Sequence, residues 1–170
     1  MKNKPHVAHN SANNEWYTPP HIIEAARKAM GGIDTDPATS LKANEIVQAK
    51  TIYTIDNCGL KNDWLGNIWL NPPYARGLVN AFIDRAIEEF LRGNARQACI
   101  LVNNATETRW FQRLLKYSDA VCFLNQRVRF ILPCGNAKGA PLQGQVVVYI
   151  GSWVRNFQES FDRAGVILRP

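Results

Sequence analysis

Apolar residues recur along the chain with two different spacings. In residues 22–30 and 78–92 they fall on one face of a helix, and glycine follows each segment. Residues 98–102 are instead apolar without alternation, as a strand covered on both faces requires. The alternation of helices and strands predicts an α/β fold with a Rossmann-like, mostly parallel sheet flanked by helices. The other segments predicted to be strands lie at 33–38, 67–70, 120–124 and 166–168.

The last third of the chain departs from a purely parallel pattern. Residues 128–132 and 145–150 look like two strands, and a loop rich in glycine and proline joins them. This arrangement predicts an antiparallel hairpin near the C-terminal side. Two shorter helices are predicted at 41–48 and 154–163, and Thr106 has the side chain to cap another helix.

Length and composition limit the class of protein. The chain has 170 residues, which fits one domain. Residues 1–14 are polar and without periodicity, so we expect a flexible arm followed by a single domain at 15–170. No apolar run reaches the roughly 20 residues of a membrane span, and nothing resembles a signal peptide. Four isolated cysteines, two of them (Cys99 and Cys122) in apolar runs, favour reduced thiols and a cytoplasmic protein.

Positive charge is concentrated in the second half of the chain. The net charge is +6, and residues 105–155 carry +5 of it, from seven basic and two acidic residues. No acidic residue occurs from 120 to 158. Such asymmetry is typical of a face that meets phosphates, but a solvated basic surface would give the same pattern. The charge alone therefore does not select a nucleic acid as the partner.

Two polar clusters, at 34–37 and 71–74, follow predicted strands. Ligands bind beyond the carboxyl ends of the strands in a doubly wound sheet. We therefore expect both clusters to face the same crevice.

The second cluster has the composition of a site for a planar amino group. Pro72 and Pro73 have no N–H groups and fix the backbone, which leaves carbonyl oxygens aimed in set directions. The side-chain oxygen of Asn71 and the carbonyl of Pro72 can accept both hydrogens of the amino group, and the Tyr74 ring can stack on its base. Two such acceptors favour a pyramidal nitrogen, whose lone pair can attack. A turn that merely ends a strand is the alternative interpretation.

Residues 71–74 resemble the catalytic motif of amino-group methyltransferases, and the likeness covers nearly the whole chain. Together with the ordered segments 15–19, 34–38 and 59–64, they are similar to the small phage-type DNA adenine-N6 methyltransferases. This resemblance implies transfer of a methyl group from S-adenosylmethionine to adenine N6 in DNA, with S-adenosylhomocysteine as the product and no metal. It also implies that Asn71, Pro72, Pro73 and Tyr74 are catalytic.

The resemblance also assigns residues to the cofactor. It implies that 36–38 lie nearest the methionine moiety and that Asp56 binds the adenine, with Asp63 as a rival. Residues 39–42 stand where many methyltransferases have a glycine-rich turn, and they contain no glycine. Glu45 is only a weak candidate for binding the ribose of the cofactor. The residues assigned to the cofactor are Tyr17, Thr18, Pro19, Asp34, Asp36, Pro37, Ala38 and Asp56.

DNA would have to present its adenine outside the duplex stack. We expect Arg127, Arg129 and Lys138 to contact DNA, with Lys138 in the loop 133–141. The full prediction is a DNA adenine-N6 methyltransferase, most simply a monomer, in the cytoplasm of the bacterial host of a phage or prophage. The alternatives are a methyltransferase acting on RNA adenine or protein glutamine, and an inactive DNA-binding module of the same fold.

Overall fold

A computed structural model describes residues 16–75, 77–131 and 143–170 of the chain. Within these residues seven strands form one mixed sheet in the order β2-β1-β3-β4-β6-β5-β7. β1 to β5 share one direction, and β6 and β7 run antiparallel to their neighbours. This architecture confirms the predicted fold class. The strands are β1 (Thr35–Asp36), β2 (Thr51–Ile52), β3 (Gly66–Leu70), β4 (Ala95–Asn103), β5 (Ala120–Leu124), β6 (Gln145–Ile150) and β7 (Gly165–Leu168).

Helices cover both faces of the sheet. One face packs against α1, α2 and α5, and the other against α3 and α4, so that the sheet lies between two apolar cores. Alternate residues of β4 enter the two cores, with Cys99 on one side and Ile100 on the other. Burial on both faces explains why this strand lacks polar alternation. The helices are α1 (Pro20–Met30), α2 (Leu41–Val47), α3 (Leu78–Leu91), α4 (Arg109–Lys116) and α5 (Val154–Phe161), with one 3₁₀ turn at Gly59–Lys61.

Local sequence signals explain several helix ends. Pro20 begins α1, where the missing N–H has no intrahelical partner to lose. Gly31 ends α1 with φ 72°, a left-handed conformation that glycine adopts without strain. The cap of α4 differs from the prediction, because the hydroxyl of Thr108 accepts the N–H of Phe111. Thr106 lies two residues before the cap position, and its carbonyl accepts a hydrogen bond from Gln112.

The predicted hairpin is wrong in its first strand, 128–132, whereas its second strand, 145–150, is β6, and the C-terminal side of the sheet is antiparallel. β6 pairs with β4 on one edge and with β5 on the other, so neither edge remains for residues 128–131. That segment has no strand; Val128 is buried, and Ile131 forms an isolated antiparallel bridge with Tyr17. Leu132 lies outside the described residues.

The order of the strands determines where a crevice opens. The chain passes from β1 to β2 on one side and then returns to β3 on the other side of β1. Such a reversal is the position where doubly wound sheets bind ligands, beyond the carboxyl ends of the strands. Asp36 ends β1 and Asn71 follows β3, so both come to this position. Among the described residues, no helix combines the length and apolar composition needed to cross a membrane.

Candidate active site

A small cavity of about 30 Å³ lies at the carboxyl ends of β1 and β3. Residues far apart in the sequence form its walls: the segment before α1, the end of β1 with the residues after it, α2, and the end of β3 with the residue after it. The structure therefore brings five of the predicted site residues together. The lining residues are Trp16, Tyr17, Thr18, Asp36, Ala38, Thr39, Ala43, Val47, Trp69 and Asn71.

Asn71 has a fixed orientation in this cavity. Its Nδ2 donates to the Trp16 carbonyl at 3.2 Å and to the Thr18 hydroxyl oxygen at 3.4 Å. A carbonyl can only accept, so this contact fixes the amide nitrogen on that side. The carboxamide oxygen is left as an acceptor, since no donor in the described part of the chain bonds to it. The Asn71 oxygen is thus available to accept a hydrogen bond.

The residues after Asn71 leave the sheet and turn toward β4. Pro72 is buried and Pro73 half-buried. The Tyr74 hydroxyl accepts the backbone N–H of Asn103, the last residue of β4, at 2.6 Å. Burial raises the pKa of Tyr74, so the hydroxyl is neutral at physiological pH. Tyr74 is not among the residues lining the cavity, and the structure attaches its hydroxyl to the end of the neighbouring strand.

Asp36 is a buried acid without an ion-pair partner among the described residues. The residue is 2% exposed, and its carboxyl accepts the N–H of Ala38 at 3.2 Å. Burial raises the pKa of Asp36 to about 7, although the hydrogen bonds from Ala38 and Thr39 act in the opposite direction. A positively charged ligand in the cavity would offset the cost of ionising this carboxyl.

Asp34 corrects the expectation that the whole 34–37 cluster faces the crevice. It precedes β1, at the amino ends of the strands, and accepts the N–H of Asn67 at 2.9 Å. Its carboxylate also pairs with Lys50 at 2.8 Å and with Arg96 at 3.0 Å. Burial opposes its ionisation, but the hydrogen bonds from these three partners lower the pKa of Asp34. Because the chain runs along β1 from Asp34 to Asp36, the first residue lies at the amino end of this strand and the second at its carboxyl end.

The loop that carries Asp56 approaches the end of β1 without reaching the cavity. Asp56 is exposed, and its backbone N–H donates to the Thr54 hydroxyl. Gly59, at the end of this loop, packs so closely on Pro37 that an added Cβ would lie 2.1 Å from the Pro37 carbonyl oxygen. Asp63 forms an ion pair with Arg85 at 3.2 Å. The assignment of Asp56 to the cofactor stays a prediction.

The arginines predicted to contact DNA flank a buried residue near the cavity. Arg127 and Arg129 are exposed, and Val128 between them is buried. Ile131 pairs with Tyr17 through two backbone hydrogen bonds of 2.9 Å, which joins this segment to the cavity wall. Lys138, the rest of the loop 133–141 and the arm 1–14 lie outside the described residues.

Three polar groups near the site had no assigned role in the sequence analysis. The Trp16 carbonyl orients Asn71, the N–H of Asn103 bonds to Tyr74, and Gln145 bonds to the side chain of Asn103. Asn103 and Gln145 have one visible signal, since each is a polar residue at the end of an apolar strand. No comparable signal identifies the carbonyl of Trp16, because every residue has one.

Comparison with known protein families assigns the chain. A family model described as DNA N-6-adenine-methyltransferase (Dam) matches residues 6–163, which is most of the chain. Searches of curated proteins and of solved structures found no match. The described residues include no group of three or more His, Cys, Asp or Glu side chains that could hold a metal ion. The match agrees with the motif at 71–74 and with the fold: the chain belongs to the DNA N-6-adenine-methyltransferase (Dam) family.

Proposed function

We propose that this protein transfers a methyl group from S-adenosylmethionine to N6 of adenine in DNA and releases S-adenosylhomocysteine. The observation that carries the proposal is the orientation of Asn71. Its nitrogen is engaged by Trp16 and Thr18, and its oxygen is left as an acceptor at the wall of the cavity. The family match supports adenine N6 in DNA as the acceptor.

The polar groups of the cavity fit the methionine end of the cofactor. Asp36 supplies a buried carboxyl without a basic partner among the described residues, and Thr18 and Thr39 supply hydroxyls. S-adenosylmethionine has an ammonium group and a sulfonium centre, and a cation of this kind would offset the desolvation of Asp36. The cofactor, when bound, supplies an electrophilic methyl group. Tyr17, Pro19, Pro37 and Ala38 would form the apolar surroundings of this end, and Asp56 would bind the adenine end.

The chain itself would prepare the amino group of the target adenine. The oxygen of Asn71 and the carbonyl of Pro72 accept the two amino hydrogens and localise the nitrogen lone pair. The buried surroundings of Pro72 exclude water from these hydrogen bonds and strengthen them. The Tyr74 ring, attached through its hydroxyl to Asn103, stacks on the extruded base.

Arg127 and Arg129 would contact the DNA backbone next to this site, and Lys138 is proposed to add a third contact. The exposed arginines lie in the segment that is hydrogen-bonded to Tyr17, so phosphate binding and base capture occur close together. We propose that 15–170 act as one domain and one monomer, in the cytoplasm of the bacterial host of a phage or prophage.

The decisive experiment identifies the methylated atom. The protein is incubated with S-adenosylmethionine labelled in its methyl group and, separately, with DNA, RNA and a protein mixture. The products are digested and analysed by mass spectrometry, with an Asn71→Ala variant as the control for contaminating activity. We expect N6-methyladenine in DNA from the wild type alone. Label in RNA adenine, in protein glutamine, or in no substrate would contradict the proposal.

A further inference from the structure

A buried glutamine connects the segment containing Arg127 and Arg129 with the end of the strand that bonds to Tyr74. Gln145 is the first residue of β6 and is 4% exposed. Its oxygen accepts the N–H of Val128 at 3.0 Å, between the two arginines. Its nitrogen donates to the side-chain oxygen of Asn103 at 3.2 Å.

The connection continues to the candidate catalytic motif. Asn103 is the cross-strand partner of Gln145 and donates its backbone N–H to the Tyr74 hydroxyl at 2.6 Å. The nitrogen of Gln145 also donates to the carbonyl of Gln143 at 2.7 Å. Both ends of the carboxamide are therefore satisfied, which a buried glutamine requires to avoid a desolvation penalty.

We propose that Gln145 is a positioning residue that sets the distance and orientation of the arginine segment relative to Tyr74. This inference rests on the proposed function, since it assumes that the arginines bind DNA and that Tyr74 receives the base. The residues around Val128 form no strand, so the hydrogen bond to Gln145 fixes this segment beside the arginines, as the bridge to Tyr17 fixes it at Ile131. Gln145 thus couples DNA binding to base capture without touching either ligand.

A second buried glutamine provides a matched control. Gln97 is 5% exposed and lies on β4 near the opposite end of the sheet. Its nitrogen donates to the Met30 carbonyl and the Asn67 side chain, and its oxygen accepts the Tyr149 hydroxyl. Gln97 therefore resembles Gln145 in residue type, burial and number of hydrogen bonds. None of its partners belongs to the candidate site.

The test compares Gln145→Leu with Gln97→Leu by steady-state methylation of DNA, cofactor titration and thermal unfolding. Both variants should melt at lower temperature, because each strands buried hydrogen-bonding groups. Only Gln145→Leu should raise KM for DNA, by about 10-fold, the effect of losing one buried hydrogen bond. Its cofactor affinity should stay within about twofold of the wild type, since Gln145 does not line the cavity.

A double-mutant cycle separates positioning from general loosening of the fold. In the Arg127→Ala/Arg129→Ala background, Gln145→Leu should raise KM for DNA by less than about twofold, because the groups it positions are gone. The same 10-fold rise in that background, or equal rises for the two leucine variants, would overturn the inference.

Two further outcomes are distinguishable. If Gln145→Leu does not fold, Asn103→Ala removes the acceptor of the Gln145 nitrogen and keeps the backbone N–H that reaches Tyr74. Asn103→Ala should raise KM for DNA by about threefold in the wild-type background and leave it unchanged in the Arg127→Ala/Arg129→Ala background. The same increase in both backgrounds would overturn the inference. A wild type that methylates no DNA refutes the proposed function and this inference with it. An active wild type without the predicted KM difference refutes the inference alone.

Discussion

Asp34 and Asp36 are two residues apart, and they lie at opposite ends of β1 in opposite electrostatic surroundings. Asp34 has Lys50 and Arg96 as partners and a lowered pKa, whereas Asp36 is buried without a described cation and has a raised pKa. The first arrangement stabilises the fold by itself. In the second, ionising the buried Asp36 carboxyl costs free energy that a bound cation would offset. A buried acid of this kind is more typical of a ligand site than of a purely structural position.

Asn67 and Asn71 repeat this contrast at the two ends of β3. Asn67 donates to the carbonyls of Met30 and Gly32 and accepts from Gln97, so both ends of its side chain are engaged. Asn71 has only its nitrogen engaged by described residues. The amino ends of the strands thus form a closed hydrogen-bonded network, and the carboxyl ends leave acceptors for a ligand.

The largest expected effect comes from exchanging the two asparagines for alanine. Asn71→Ala should lower kcat for DNA methylation by at least about 100- to 1000-fold, because it removes a preorganised polar group from the reacting amino group. Its cofactor affinity should change only a few-fold. Asn67→Ala should instead lower the free energy of unfolding by about 1–3 kcal/mol and leave kcat within about threefold. Single-turnover rates and urea unfolding measure both quantities, and an Asn71→Ala rate within tenfold of the wild type would remove Asn71 from the mechanism.

The two aspartates should separate cofactor binding from stability. Asp36→Asn should weaken S-adenosylmethionine binding by about 10- to 100-fold, the effect of losing a hydrogen bond to a charged group. Asp34→Asn should leave that affinity unchanged and lower the melting temperature, since it removes the charge that Lys50 and Arg96 face. Calorimetric titration with thermal unfolding distinguishes the two variants. Equal cofactor affinities for them would contradict the assignment of Asp36.

The same pair should respond to pH in opposite senses. The pKa of Asp36 rises from 3.8 to about 7 on folding, so the folded state binds more protons and this group makes stability fall as pH rises between those values. Affinity for a cationic cofactor should increase with pH through about 7 and then level off, because the ionised carboxyl binds the cation. The pKa of Asp34 is lowered, so its contribution is present above an ordinary aspartate pKa and is lost as pH falls through the folded value. Difference curves against the two asparagine variants, measured by urea unfolding across pH, test both signs.

Two pairs of cations test whether DNA approaches the carboxyl ends. Arg127→Ala/Arg129→Ala should reduce the slope of log affinity against log salt by about 0.9 for each phosphate that the protein no longer neutralises. Lys50→Ala/Arg96→Ala removes the same charge near the amino ends and should leave the slope unchanged. Fluorescence anisotropy with one duplex at several salt concentrations gives the slopes. An equal reduction for both pairs would indicate a nonspecific effect of net charge.

The smallest effect is expected from two tyrosine hydroxyls. Tyr74→Phe removes the acceptor of the Asn103 N–H but keeps the ring, so kcat should fall by less than about fivefold while the melting temperature decreases. Tyr149→Phe removes the hydroxyl that donates to Gln97 and should decrease the melting temperature without changing kcat. A loss of activity for Tyr74→Phe as large as that for Tyr74→Ala, with both variants folded, would show that the hydroxyl matters more than the ring.

Local signals in the sequence were sufficient for the regular elements. β5 lies at the predicted residues 120–124, and glycine ends α1 where the pattern indicated. The errors concern relations between distant segments. Residues 128–131 could not be distinguished from a strand, because the occupation of both edges of β6 is a property of the whole sheet.

The candidate site shows the same division. The motif at 71–74 indicated the family that the family match confirms, but the orientation of Asn71 depends on a carbonyl 55 residues away in the sequence. Asp34 and Asp36 look equivalent in the sequence, since they are the two neighbours of Thr35. Only the direction of β1, fixed by its pairing with β2 and β3, separates them.

The bridge between Tyr17 and Ile131 would give the two ligands of the proposed reaction a thermodynamic connection. One side of this bridge is a wall of the cavity, and the other is the segment containing Arg127 and Arg129. A displacement of that segment by nucleic acid would be transmitted to the cavity wall through two backbone hydrogen bonds. Linkage is reciprocal: the factor by which DNA changes cofactor affinity is the factor by which the cofactor changes DNA affinity. A single pair of residues would therefore couple the affinities of the protein for the two proposed ligands.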